Sequence, residues 1–238
     1  VGRYLLAWEQ QRCDEAVCDI FGHCSLQMGL PMLHGLRNNR MPRRWLAAGT
    51  LPVSADQQPP GDVPLALLAD PAALPFAPAS LDLVLMPHTL DLSPEPHAVL
   101  REAARVLAPE GRLVVCGLNP WSLWGVQRRI ERGNAYLHGL GWGMGYWRLR
   151  DWLQLQSFEI EAVQFGCYCP AVHEARWLQR WQFMERWGRR LWPVLGAAYC
   201  LVAVKRTAGM RLVTPAWRGP HTRLAGAGVQ VGSKKNSL

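Results

Sequence analysis

Five polar or conformationally free residues stand at the ends of short apolar runs, where a buried strand would present a side chain to a ligand. His88 follows Leu83–Met86, and an imidazole with an ordinary pKa of about 6.5 suits proton transfer near neutrality. Asp70 follows Leu65–Ala69 and offers a carboxylate, either to a ligand or to its own turn. Gln27 and Gly29 close the run that begins at Cys24, and Asn119 follows Arg112–Cys116. His88 has no partner visible in the sequence, so a structural role competes with a catalytic one. Seven cysteines (13, 18, 24, 116, 167, 169, 200) are scattered without a CxxC pair, and Cys167-x-Cys169 has strand spacing. They read as reduced thiols of a cytoplasmic protein, with no metal site.

The elements that must position these residues are legible around them. Leu65–Ala69, Leu83–Met86 and Arg112–Cys116 are unbroken apolar runs, as expected of strands buried on both faces of a parallel sheet. Between the last two lies a helix, with Ser93 as its N-cap and Pro94 at its first position. Leu100, Ala103, Ala104 and Leu107 recur on one face, and Pro109-Glu110-Gly111 stops it. Strand, helix, strand at this spacing is a right-handed βαβ unit. Cys24–Gly29 reads as the first strand, Tyr146–Gln156 as a helix, Phe158–Phe165 as an alternating strand and Ala197–Arg206 as the last strand. Residues 3–20 fit an amphipathic helix with Leu6, Cys13, Val17 and Ile20 inward and Glu9, Gln10, Arg12 and Glu15 elsewhere.

The order ADPAALPF, SLDLVLM, then HAVLREAARVLAPEGRLVV resembles the middle of class I S-adenosylmethionine-dependent methyltransferases, type 11. The matching positions are Asp70, Leu74-Pro75-Phe76, Asp82 and the run Leu100 to Gly111. The resemblance implies a Rossmann-like α/β fold, a seven-stranded mostly parallel sheet with an antiparallel last strand and helical cap insertions. It also implies S-adenosylmethionine as cofactor, with Gln27, Gly29, Asp70, Ala72, Leu74 and His88 at its site. Asp70 would accept the adenine amino group. His88 would be the catalytic candidate, and Asn119, Trp121 and Trp124 would line the acceptor pocket.

Three departures qualify that implication. Where the family has acid-x-Gly-x-Gly-x-Gly, this chain has Gln27-Met28-Gly29-Leu30-Pro31-Met32-Leu33. Side chains at two glycine positions narrow the cleft, and Pro31 removes a backbone donor. About twenty residues on, where an acid takes the ribose hydroxyls, the chain reads Arg44-Trp45-Leu46-Ala47-Ala48-Gly49. Pro71 lacks the N–H expected to meet the adenine ring, leaving Ala72 to substitute. Weak cofactor binding is therefore expected.

With 49% hydrophobic and 18% charged residues the chain reads as globular, and no apolar run reaches the roughly 18–20 residues of a membrane span. Of the net charge of +8, the stretch from Lys205 onward holds seven basic residues and no acid. Residues 1–206 read as the methyltransferase-like domain, with cap insertions at 121–146 and 170–195, and 207–238 as a basic tail. Trp121 to Trp192 carries nine of the twelve Trp, with ten Arg against six acids. In His173–Trp192, Trp177, Trp181, Met184, Gly188 and Leu191 share one helical face. That helix either docks on the sheet or meets an amphiphilic surface. The expected activity is methyl transfer to a small or amphiphilic acceptor. The competing reading is a cofactor-poor scaffold acting through its cap or tail. The partners expected are a small-molecule or lipid-like substrate and a peripheral membrane contact. Nucleic acid is disfavoured, since no aromatic-basic RNA motif accompanies the tail.

Overall fold

The computed structural model describes residues 2–49, 65–130, 144–169, 188, 190 and 192–206. Residues 50–64, residues 131–143 of the first cap insertion, most of the 170–195 insertion and the 207–238 tail lie outside them. Helix α1 (Gly2–Val17) leads into strands β1 (Cys24–Met28), β2 (Arg43–Ala48) and β3 (Leu65–Leu68). Strand β4 (Leu81–Pro87) is followed by the short α2 (Thr89–Leu92), α3 (Pro96–Val106) and the long strand β5 (Leu107–Leu118). Helices α4 (Leu123–Ile130) and α5 (Tyr146–Leu155), strand β6 (Phe158–Gly166), a 3-10 turn (Pro193–Leu195) and strand β7 (Ala198–Lys205) complete the order.

The seven strands form one sheet in the order β3-β2-β1-β4-β5-β7-β6. All neighbours are parallel except β7, which runs antiparallel to both β5 and β6. This is the sheet expected from the sequence. The order reverses between β1 and β4, so the crevice at their carboxyl ends is where such sheets accept ligands.

Side-chain alternation along the central strands builds two core layers. Val84 and Met86 face Leu100, Ala103 and Leu149, the layer under α3 and α5. Leu83 and Leu85 face the other way, toward Cys13, Val17 and Leu33. Burial on both faces explains the unbroken apolar runs of β4 and β5.

Several motif residues prove to be fasteners. Asp82 opens β4, and its Oδ2 accepts the N–H groups of His23 (2.7 Å) and Cys24 (3.0 Å), fixing the start of β1. Glu102 Oε1 accepts the Leu74 N–H at 2.8 Å, while Arg105 donates to the Leu74 carbonyl at 3.0 Å. One turn of α3 thus clamps the loop that follows β3. Lys205 Nζ donates to the Ala104 and Leu107 carbonyls at the end of α3.

The helix starts differ from expectation. The Ser93 N–H closes α2 on the Thr89 carbonyl at 3.0 Å, so Ser93 ends one helix instead of capping the next. Helix α3 begins at Pro96, with Glu95 preceding it and no side-chain cap. Proline serves equally well at either first position because its missing N–H has no intrahelical acceptor there. At the other end α3 stops at Val106, and the register slips between Leu81–Leu107 and Leu83–Arg112, so Pro109-Glu110-Gly111 bulge out of β5.

Candidate functional site

Strand β1 is followed by Gly29, held at φ +78, in the left-handed region that glycine enters without strain. A Cβ there would lie 2.9 Å from Thr89 Oγ1, which donates to the Met28 carbonyl at 2.7 Å. The chain then makes turns where the resembled family starts a helix: Leu33 N–H bonds Leu30, Arg37 bonds His34 and Asn39 bonds Leu36.

Gln27 builds those turns. Its Nε2 donates to the carbonyls of Leu30 (3.2 Å) and Leu33 (2.6 Å), and its Oε1 accepts the Gly35 N–H (3.0 Å). Leu33 is sunk in the core beside Leu36, Leu83 and Leu85. The amide therefore does what a carboxylate could not, since two of its three partners are acceptors. Gln27 was expected at the cofactor; all three of its polar bonds go to its own loop instead.

His88 is the residue after β4, with φ +54, and its N–H extends the strand pairing to the Cys116 carbonyl at 2.8 Å. Its ring lies between two carboxylates. Nε2 is 2.6 Å from Glu9 Oε1, and Nδ1 is 3.1 Å from Asp91 Oδ2. All three side chains are buried. Asp91 is otherwise satisfied: Oδ2 also accepts the Leu118 N–H (3.0 Å) and Oδ1 accepts the Met144 N–H (2.7 Å). The Met144 carbonyl in turn accepts the Tyr199 hydroxyl at 2.7 Å. Among the described residues Glu9 Oε2 has no hydrogen-bond partner.

Burial alone would push the His88 proton off, but Asp91 and Glu9 reverse this and raise its pKa from 6.5 to about 10. At neutral pH the ring is an imidazolium with both nitrogens occupied. In that state the ring has no lone pair free to take a proton. The structure corrects the placement of Glu9, expected on the polar side of α1 and found with Leu5, Cys13 and Val17 on the buried stripe. The signal was the i, i+4 spacing of those four residues.

The other candidates fall in two groups. Asp70 is exposed beyond β3, and its Oδ1 accepts the Ala72 N–H at 2.8 Å, closing its own turn. Leu74 is buried in the core under the α3 clamp. Asn119 does not open toward a cleft: Nδ2 donates to the Val194 and Gly196 carbonyls and Oδ1 accepts the Trp121 N–H. Trp124 is buried and donates Nε1–H to the Cys169 carbonyl at 2.6 Å. Trp121 is 65% exposed. The structure thus gathers Gly29 and His88, with Glu9, at the β1–β4 crevice, while Asn119 and Trp124 fasten the segments after β5. A groove lined by Arg12, Glu15, Arg112, Glu161, Cys200 and Val202 contains none of these candidates.

Among the described residues no helix is long and apolar enough to cross a membrane, and no cluster of His, Cys, Asp or Glu has metal-binding geometry. Residues 48–115 match the family model of a methyltransferase domain. YafS of Escherichia coli K12, itself uncharacterized, is 34% identical over 157 residues, which take in 63% of this chain and 59% of that protein's length. In the complex of the Haloferax volcanii Trm112 methyltransferase activator with its methyltransferase partner, a chain at 16% identity superposes with a TM-score of 0.62, covering 87% of this chain and 93% of that one. Geranyl diphosphate C-methyltransferase of Streptomyces coelicolor superposes with a TM-score of 0.57 at 14% identity, covering 86% and 80%. The chain thus has the fold of class I S-adenosylmethionine-dependent methyltransferases, and its residues 48–115 are similar to a methyltransferase domain.

Proposed function

We propose that the chain transfers a methyl group from S-adenosylmethionine to a small or amphiphilic acceptor, and that it holds the cofactor weakly. The observation that carries this reading is the pairing, within one family-matched stretch and its neighbouring strand, of Gly29 at φ +78 after β1 with an outward Asp70 after β3. The residues at this edge fit the cofactor at both ends. Asp70 Oδ2 suits an amino group, and Glu9 Oε2 is a buried acceptor with no donor among the described residues. When bound, the cofactor supplies an electrophilic methyl group on a sulfonium. The chain's part is to hold the nucleoside, exclude water and align the acceptor.

Weak binding follows from what the loop withholds. Gln27 is committed to Leu30, Leu33 and Gly35, and Pro31 has no N–H. Each absent hydrogen bond costs on the order of 1 kcal/mol, so these two, with the acid absent from the end of β2, weaken a micromolar ligand roughly a hundredfold. An amphiphilic acceptor is favoured by the exposed Trp121, Leu123 and Val126 beyond β5. A protein of the same fold acts on geranyl diphosphate, an apolar chain with an anionic head. The same Gln27 and Leu33 contacts favour the second reading, a methyltransferase-like scaffold working without the cofactor. Isothermal titration of the full chain with S-adenosylmethionine and S-adenosylhomocysteine separates the two. Saturable binding in the range of about 10 µM to 1 mM supports the enzyme, and no heat up to millimolar ligand supports the scaffold.

A further inference from the structure

Glu9 Oε2 is the only buried carboxylate oxygen without a hydrogen-bond partner among the described residues. The side chain is fully closed to solvent. An unpaired buried acceptor of this kind is costly unless something that the chain does not supply completes it. The charge balance points the same way. Two carboxylates, Glu9 and Asp91, surround one imidazolium, His88, which leaves a net charge of about −1 at the site. The two backbone N–H groups that reach the cluster, Leu118 and Met144, both go to Asp91. The nearest cation on α1, Arg12, donates through Nη1 to Glu15 and Gln164, and its buried Nε has no hydrogen-bond partner among the described residues, Glu9 Oε2 included.

The location is the second observation. His88 follows β4 and Thr89 touches Gly29, so the cluster sits at the reversal point of the sheet, where doubly wound folds hold ligands. At that point the first strand presents an amide, Gln27, whose polar atoms all go to its own loop. The carboxylate chemistry absent from the end of β1 is present beside β4, delivered by α1.

We infer that Glu9 Oε2 is the cation-binding position for the cofactor, receiving a positively charged group of the nucleoside, its ammonium or its sulfonium. This rests on the cofactor reading above. The oxygen is closed to solvent, so its occupation requires α1 to give way.

The test is calorimetric titration of the full chain and of Glu9→Gln with three ligands: S-adenosylmethionine, S-adenosylhomocysteine and deaminated S-adenosylhomocysteine, which keeps the carboxylate. If Glu9 meets the ammonium, wild type binds the deaminated ligand about tenfold more weakly than S-adenosylhomocysteine, and Glu9→Gln removes that difference. If it meets the sulfonium, wild type prefers S-adenosylmethionine over S-adenosylhomocysteine by a similar factor, and Glu9→Gln removes that preference. Wild type treating all three ligands alike overturns the inference, whatever the variant does. So does a folded Glu9→Gln protein that keeps the full difference, the result expected if only a water completes the oxygen. Should Glu9→Gln not fold, Glu9→Gln/His88→Gln, which removes the imidazolium with its partner, provides the comparison. No binding of any ligand by wild type overturns the cofactor reading itself and this inference with it.

Discussion

Glu9, on the first helix, meets His88, at the end of the fourth strand, through a 2.6 Å contact sealed from solvent. The contact joins residues 79 positions apart and ties α1 to the crevice edge of the sheet. Removing the imidazole strands two carboxylates, Glu9 and Asp91, in the interior. His88→Ala should therefore destabilise the protein by about 3–5 kcal/mol, the usual penalty for breaking a buried ion pair from one side. Urea unfolding followed by circular dichroism measures it, and a loss under about 1 kcal/mol would show that the ring carries no such charge.

The same pair gives stability a pH dependence with a definite sign. Burial opposes the His88 proton, but Asp91 and Glu9 hold its folded-state pKa at about 10 against 6.5 when unfolded. A group raised on folding stabilises fully below its unfolded pKa and loses that contribution as pH rises through its folded pKa. The melting temperature should fall progressively between pH 6.5 and about 10, and His88→Gln should flatten the curve across that window. A wild-type curve already flat there would mean that the imidazole is neutral in the fold.

Gln27 is tested by restoring the acid that the resembled family carries. Gln27→Glu places a carboxylate against the Leu30 and Leu33 carbonyls, which now accept from the amide. The buried Leu33 carbonyl and the part-buried Leu30 carbonyl lose their donor, so stability should drop by about 1–3 kcal/mol for the buried group and less for the other, with no gain in cofactor affinity. Tighter binding of S-adenosylmethionine by a stable Gln27→Glu protein would mean that the loop opens and that the amide is not its fastener.

Asp70 is a cleaner probe, because it is exposed and its bond is to its own turn, at Ala72. Asp70→Ala should abolish measurable S-adenosylmethionine binding while moving the melting temperature by no more than a surface substitution does, within about 0.5 kcal/mol. Equal affinity in a stably folded variant would put the adenine elsewhere.

Much of this architecture is written in local patterns, while the crevice chemistry is not. The runs at Leu83–Met86 and Leu113–Cys116 read as central strands because both of their faces are covered. Asp82, Glu102 and Arg105 stand out as motif residues, yet their task, fastening β1 and the Leu74 loop, depends on backbone groups distant in sequence. Glu9 reads as surface because a carboxylate on a helix normally faces water, and its partner lies far along the chain. Gln27 reads as a damaged ligand because its partners are main-chain atoms of the next turns, which carry no sequence signal. The His173–Trp192 stretch, read as a Trp/Arg helix, is described only at Gly188, Arg190 and Trp192.

The acceptor reading is tested at the exposed edge beyond β5. Asn119 pins this turn to the Val194 and Gly196 carbonyls, and α4 follows from Leu123. Trp121, Leu123 and Val126 are 65%, 45% and 46% exposed, an unusual run of apolar residues to leave in water. An indole there offers a broad apolar face, which suits the apolar body of an amphiphilic ligand. The fluorescent amphiphile 1-anilinonaphthalene-8-sulfonate serves as the probe. The full chain should bind it saturably, and Trp121→Ala/Leu123→Ala should weaken that binding about tenfold without changing the melting temperature, because neither side chain is in the core. Asp70→Ala should leave it untouched, which separates the acceptor edge from the nucleoside end. Undiminished probe binding in the Trp121→Ala/Leu123→Ala protein would remove this edge from the acceptor site and leave the amphiphilic reading without its support.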